Sequence, residues 1–122
     1  METGATKSDF HSVLYKKINL YVHRIYDVTK TFPREEMFGL TSQLKRSSLS
    51  AMLNYVEGYA RKRKAVLKNF LDISYGSLKE SKYLILFSCE RKFLSKMDFD
   101  ELNVLSDEIG AMLWGTISKI NP

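Results

Sequence analysis

The chain has 122 residues, 44% of them apolar and 27% charged, which is one domain's worth of ordinary globular composition and excludes disordered and collagen-like chains. Nineteen Lys and Arg against 14 Asp and Glu leave a net charge of +5, an excess that permits an acidic partner without requiring one. Two Pro and six Gly are few breakers, so long continuous helices are expected.

Residues 1–10 are polar, small and aperiodic and read as a flexible tail; residues 11–122 read as a single domain. The clearest pattern follows at once. Leu14, Ile18, Tyr21, Ile25, Val28 and Phe32 step by four and three, with Lys16, Lys17, Asn19, Arg24, Asp27 and Lys30 on the opposite side. That is an amphipathic helix over roughly 11–31, stopped by Pro33, which pushes the preceding residue out of the helical region. After a connector at 32–39, a second helix is expected from about Leu40 to Tyr59, with Leu44, Ser48, Ala51, Tyr55 and Tyr59 on its core row. A further apolar group, Leu49, Met52, Leu53 and Val56, lies on a different side of the same helix. A helix that is apolar on more than one face must be covered on more than one face. In so short a chain that cover is expected from a second copy, which makes these four residues the candidate oligomer interface.

The stretch RKRKAVLK at 61–68 opens a third helix, whose core row is Leu67, Leu71, Ser74, Leu78, Ser81 and Ile85 and whose end falls near Glu90. A short link leads to Asp98, expected to cap a fourth helix with Glu101 three residues on. Leu102, Leu105, Ile109, Met112 or Leu113, Thr116 and Ile120 form its inner row. No segment alternates with period two. Four amphipathic helices joined by short links give an all-α, antiparallel up-down-up-down four-helix bundle.

Catalytic and cofactor chemistry finds little support. A di-metal bundle site needs Glu-x-x-His pairs on two helices, and no Glu here is followed by His at that spacing; His11 and His23 both belong to the first helix. The lone Cys89 sits in an apolar context that favours a structural thiol, and it cannot form an intramolecular disulfide. Neither a P-loop nor a dinucleotide fingerprint occurs. The expectation is a protein with no catalytic residue, no cofactor and no metal. The longest apolar run, around Tyr83 to Phe87, is far short of the ~20 residues that cross a bilayer, and the first residues carry no signal-like apolar run. A cytoplasmic protein without a membrane partner is expected.

Charge carries what functional signal there is. Arg61, Lys62, Arg63, Lys64 and Lys68 gather at the corner between the second and third helices, and Lys45 and Arg46 lie on the second. Cations at a helix N-terminus oppose its dipole, so helix stability does not explain this cluster; phosphate contact would, and so would plain solubility, since basic runs are commonly just solvated. The seven basic residues are the candidate nucleic-acid site. Glu57 and Glu80 read as structural ion-pair partners, Glu57 with Arg61 four residues on and Glu80 with Arg46 across the helix pair. Asp98, Asp100, Glu101, Asp107 and Glu108 form an acidic counterpart on the fourth helix, able to stabilise it or to meet a neighbour's basic corner.

Three blocks, FPREEMFGLTSQLKRSS (32–48), NYVEGYARKRK (54–64) and FLDISYGSLKE (70–80), resemble the four-helix bundle family encoded in intervening sequences of bacterial 23S rRNA genes. Its relatives include the accessory variability proteins of diversity-generating retroelements. Phe32, Pro33, Glu36, Gly39, Leu40, Gln43, Leu44, Lys45 and Arg46 match the first block of that pattern. Asn54, Glu57 and Gly58 match the second, and Gly76, Ser77, Leu78 and Glu80 the third. The chain departs from the pattern at Met52, where the family often carries Pro, and after Gly58, where a basic turn replaces a Gly/Ser-rich one. The resemblance implies a homopentameric ring without enzymatic activity. The retroelement relatives imply a basic scaffold for nucleic acid and a reverse transcriptase. The two functions carried forward are nucleic-acid binding through phosphates and, as the alternative, a protein-interaction scaffold without nucleic acid.

Overall fold

The computed structural model describes residues 7–121. Helix α1 spans Lys7–Val28, α2 Leu40–Tyr59, α3 Lys64–Glu90 and α4 Lys96–Lys119. They run up, down, up and down, each packed on its chain neighbours, with α4 closing the bundle against α1. The first six residues of the expected tail lie outside the described residues, and its last four belong to α1.

Between α1 and α2 the chain makes two short 3₁₀ turns, Thr29–Thr31 and Arg34–Glu36. α1 tightens three residues earlier than Pro33 alone requires; Thr29 is buried and its hydroxyl donates to the Ile25 carbonyl at 2.9 Å, which competes with the helical ladder. Gly39, preceding α2, has no side chain to cap it. Glu36 supplies the cap instead, its Oε1 accepting from the Leu40 amide at 3.3 Å, and an added Cβ on Gly39 would meet the same oxygen at 3.3 Å. The spacing of Pro33, Glu36, Gly39 and Leu40 thus has a mechanical origin.

The expected rows form the core. Leu14, Ile18, Tyr21 and Ile25 of α1 meet Leu44 and Ala51 of α2, Leu71, Leu78 and Ile85 of α3, and Leu102, Ile109 and Leu113 of α4, all without solvent contact. Small residues bring α2 and α3 together. Ser74 donates to the Ala51 carbonyl at 2.6 Å, Ser50 and Ser77 share a hydrogen bond at 2.9 Å, and a Cβ on Gly58 would stand only 3.1 Å from Phe70 Cβ. Gly58 neither ends nor breaks α2, which continues to Tyr59; it lets α3 approach.

Two boundaries differ from expectation. Residues 61–63 lie in the corner before α3 and are not helical. The cap of α4 is Ser95, whose hydroxyl accepts from the Asp98 amide at 3.1 Å; Asp98 is already in the first turn. Leu94, just before Ser95, is buried, and Phe99, in the next turn, packs on the core, forming a hydrophobic staple. A cap at Asp98 would put Met97 in the staple position, and Met97 is 79% exposed. At the other side of this link, Lys92 adopts a left-handed conformation (φ 66°), and the amides of Lys92 and Phe93 donate to the carbonyls of Cys89 and Ser88. This is a Schellman ending, built here without the usual glycine.

Candidate nucleic-acid interface

The α2–α3 corner begins where the Ala60 and Arg61 amides turn back onto the carbonyls of Glu57 and Gly58. Arg63 stands in the cap position of α3 in an extended conformation, with no side-chain hydrogen bond to the helix. Four exposed basic side chains, Arg61 to Lys64, therefore crowd an uncapped helix N-terminus. Each opposes the dipole there by some tenths of a kcal/mol.

The surrounding charges sort into those already engaged and those left over. Arg61 is engaged: it pairs with Glu57, as its spacing led one to expect, and lies over the Phe70 ring at 5.3 Å. Lys62, Arg63, Lys64 and Lys68 have no ion-pair partner within 4.0 Å among the described residues. On α4 the reverse holds. Asp98 and Glu101 both meet Arg24 of α1, at 3.4 and 2.6 Å, and Glu101 holds that guanidinium above its ordinary pKa chiefly through this hydrogen bond. Asp100 pairs with Lys96, Asp107 with Lys82, and Glu108 with Lys17 at 3.0 Å. The acidic group is thus spent inside its own protomer.

Other expected site residues fall elsewhere. Lys45 and Arg46 lie near the start of α2, about 20 Å along the helix from its end at Tyr59 at 1.5 Å per residue. Lys45 stacks over Tyr26 of α1 at 4.9 Å. The pair thus stands apart from the corner rather than extending it. The expected Arg46–Glu80 ion pair does not form: neither residue has an ionic partner among the described residues, and both are exposed. Of the candidate oligomer residues, Leu49, Leu53 and Val56 are 37–57% exposed, on an outer stripe of α2. Met52 is a correction, because it turns inward, 7% exposed, and packs in the protomer's own core. The α2–α3 register set by Ser50–Ser77 and Ala51–Ser74 places Ile73, itself 43% exposed, level with Leu53. On the same helix Gly76 is exposed, with open space where a side chain would go.

Beside the corner opens a cleft of about 680 Å³, where the start of α1, the end of α2, the start of α3 and the end of α4 converge. Phe10, Leu67, Met112 and Ile120 supply apolar wall, His11 and Tyr59 aromatic rings, and Lys64 and Lys119 the charge. His11 and Tyr59 stand edge to face, with centroids 4.5 Å apart. Burial pushes the Tyr59 phenol up to about 12, so it stays neutral at working pH. Sequence reading missed Lys119 and the two rings as a group. Only the antiparallel course of the chain brings residue 119 to residue 64. Among the described residues no cluster of His, Cys, Asp and Glu is placed to hold a metal ion, and no helix is long and apolar enough to cross a membrane.

Comparison with known proteins agrees with this architecture. The family described as 23S rRNA-intervening sequence protein matches residues 11–115. The crystal structure of a protein of unknown function from the S23 ribosomal protein family of Bacteroides thetaiotaomicron is similar at a TM-score of 0.83. It shares 22% identity over 90% of this chain and 99% of its own length, a likeness of fold. No functionally curated protein matches.

Proposed function

We propose that this chain, which belongs to the 23S rRNA-intervening sequence protein family, is a non-enzymatic, self-assembling bundle that binds RNA or DNA through phosphates at the α2–α3 corner. One observation carries the reading. Every carboxylate of the acidic group on α4 has a cation in its own protomer, while Lys62, Arg63, Lys64 and Lys68 have none. Unpaired cations at a helix N-terminus are unfavourable for the protomer alone, and a polyanion relieves them. Self-assembly is supported by the stripe of Leu49, Leu53 and Val56, continued by Ile73 and by Gly76, an exposed mid-helix glycine that weakens α3 by about 1 kcal/mol relative to alanine without serving internal packing. Copies gathered in a ring repeat the corner, and their phosphate contacts add. The family resemblance suggests five copies, and the family's retroelement relatives suggest a place beside a reverse transcriptase or an rRNA element.

Fluorescence anisotropy with a labelled oligonucleotide tests the reading. Affinity is expected to fall steeply with added salt, because each neutralised phosphate releases counterion. Replacing Lys62, Arg63 and Lys64 by Glu is expected to abolish binding, while leaving Arg61 intact preserves its pair with Glu57. Binding that survives the triple change overturns the assigned site. The second reading, a protein scaffold, is favoured by Phe38, 92% exposed in the α1–α2 connector at the far end of the bundle. In that case Phe38→Ser would abolish recovery of a protein partner and nucleic acid would bind no better than to any weakly basic surface.

A further inference from the structure

Phosphate contact alone explains the corner but not the cleft beside it. An apolar hollow with two aromatic rings and two lysines at one end of a bundle is a poor match for the rigid backbone of a duplex, whose bases are stacked away inside. It is a good match for a strand whose bases are free. We infer that the cleft receives an unpaired base of a single-stranded polynucleotide, whose flanking phosphates lie on Lys62, Arg63, Lys64 and Lys119.

This rests on the corner being a polyanion site, and it adds the strand class and the mode of recognition. Three features support the occupant. The wall contains no carboxylate among the described residues, so nothing in it repels a phosphodiester. Tyr59 is 37% exposed and lines the cleft together with Lys64, and its neutral phenol adds no opposing charge. The combination of a basic rim with an accessible aromatic face is the recurrent means of holding single strands without reading sequence. Lys64 belongs to both the corner and the cleft, which makes the two surfaces continuous.

Gly115 offers a clean way to close the cleft. It lines the hollow, and a Cβ added there meets nothing within 4 Å, so Gly115→Leu starts from open space, is expected to narrow the cleft, and raises helix propensity. Tyr59→Leu removes the ring but keeps apolar volume. Wild-type protein and both variants would be titrated with labelled oligo-dT, oligo-rU and a duplex of equal length, with circular dichroism confirming the fold. Preference for the single strands is expected, together with a loss of about five- to 150-fold in their affinity for each variant, the usual value of one stacked base. Duplex affinity should not move. Equal binding of single strand and duplex, with both variants silent, overturns base insertion while leaving the corner in place. Loss of all binding in the Lys62, Arg63, Lys64 triple-Glu protein supports the corner independently, and failure of wild type to bind any strand sinks corner and cleft together. A change of native mass in Gly115→Leu without a change in affinity would assign the cleft to a second copy of the chain and overturn the inference.

Discussion

Tyr21 carries its hydroxyl to the centre of the bundle, where it shares a 2.8 Å hydrogen bond with Ser81 of α3, whose own hydroxyl also donates to the Leu78 carbonyl at 2.7 Å. Burial pushes this phenol up to about 12, against a smaller lowering by the bond to Ser81. Ser106 adds a still smaller lowering, although its Oγ completes no hydrogen bond. The folded protein therefore holds the Tyr21 proton more tightly than the unfolded chain, whose tyrosine titrates near 10. Stability from this source is full below pH 10 and is lost as pH rises through about 12, a fall of roughly 2–3 kcal/mol. Tyr21→Phe is expected to cost about 1 kcal/mol at pH 8 through the lost hydrogen bond and to flatten the alkaline decline. Urea unfolding from pH 8 to 12 measures both, and an unchanged slope in the variant would contradict the assignment. That Tyr21 faces inward is legible in its spacing. That it meets Ser81 is not, because the two lie on helices that are not chain neighbours.

The fourth helix shows how a boundary is decided above the level of its own residues. Ser95-x-x-Asp98 and Asp98-x-x-Glu101 overlap in the sequence and are equally good starting signals. The earlier one is used because it seats Leu94 in the core and leaves Met97 outside, a difference of packing against other helices. Ser95→Ala is accordingly expected to destabilise the protein by about 1 kcal/mol and to speed hydrogen exchange at the Asp98 amide. A silent Ser95→Ala would restore Asp98 to the cap. The blocks that carry the family resemblance have similar explanations at this scale. Glu36 caps α2, Asn54 donates to the Ser50 carbonyl at 2.9 Å, and Gly58 admits α3. Glu80 has no such account. Lys92, in a conformation that favours glycine, was invisible as a turn because lysine carries no turn signal.

At the scale of the whole molecule, the bundle was readable from periodicity, since four rows of apolar residues leave few other ways to hide them. The candidate site was readable only in part. Its corner is contiguous in the chain, but the cleft is assembled from four segments whose meeting depends on which ends lie together. Lys45 and Arg46 failed to join it for the same reason, their place on α2 putting them in the other half of the bundle. Assembly makes its own prediction. Leu53→Asp combined with Ile73→Asp alters only exposed positions, so protomer helicity is expected to persist within the small changes typical of surface sites. Native mass spectrometry is expected to show the discrete wild-type oligomer replaced by single chains; a wild type that is already single would overturn self-assembly. An even number of alternating helices also brings Lys7 and Asn121 to one pole of the molecule, the same pole as the cleft. A fusion partner or tether attached at either terminus would therefore crowd the very opening through which a strand must enter, whereas the opposite pole, marked by the Phe38 connector, would stay clear.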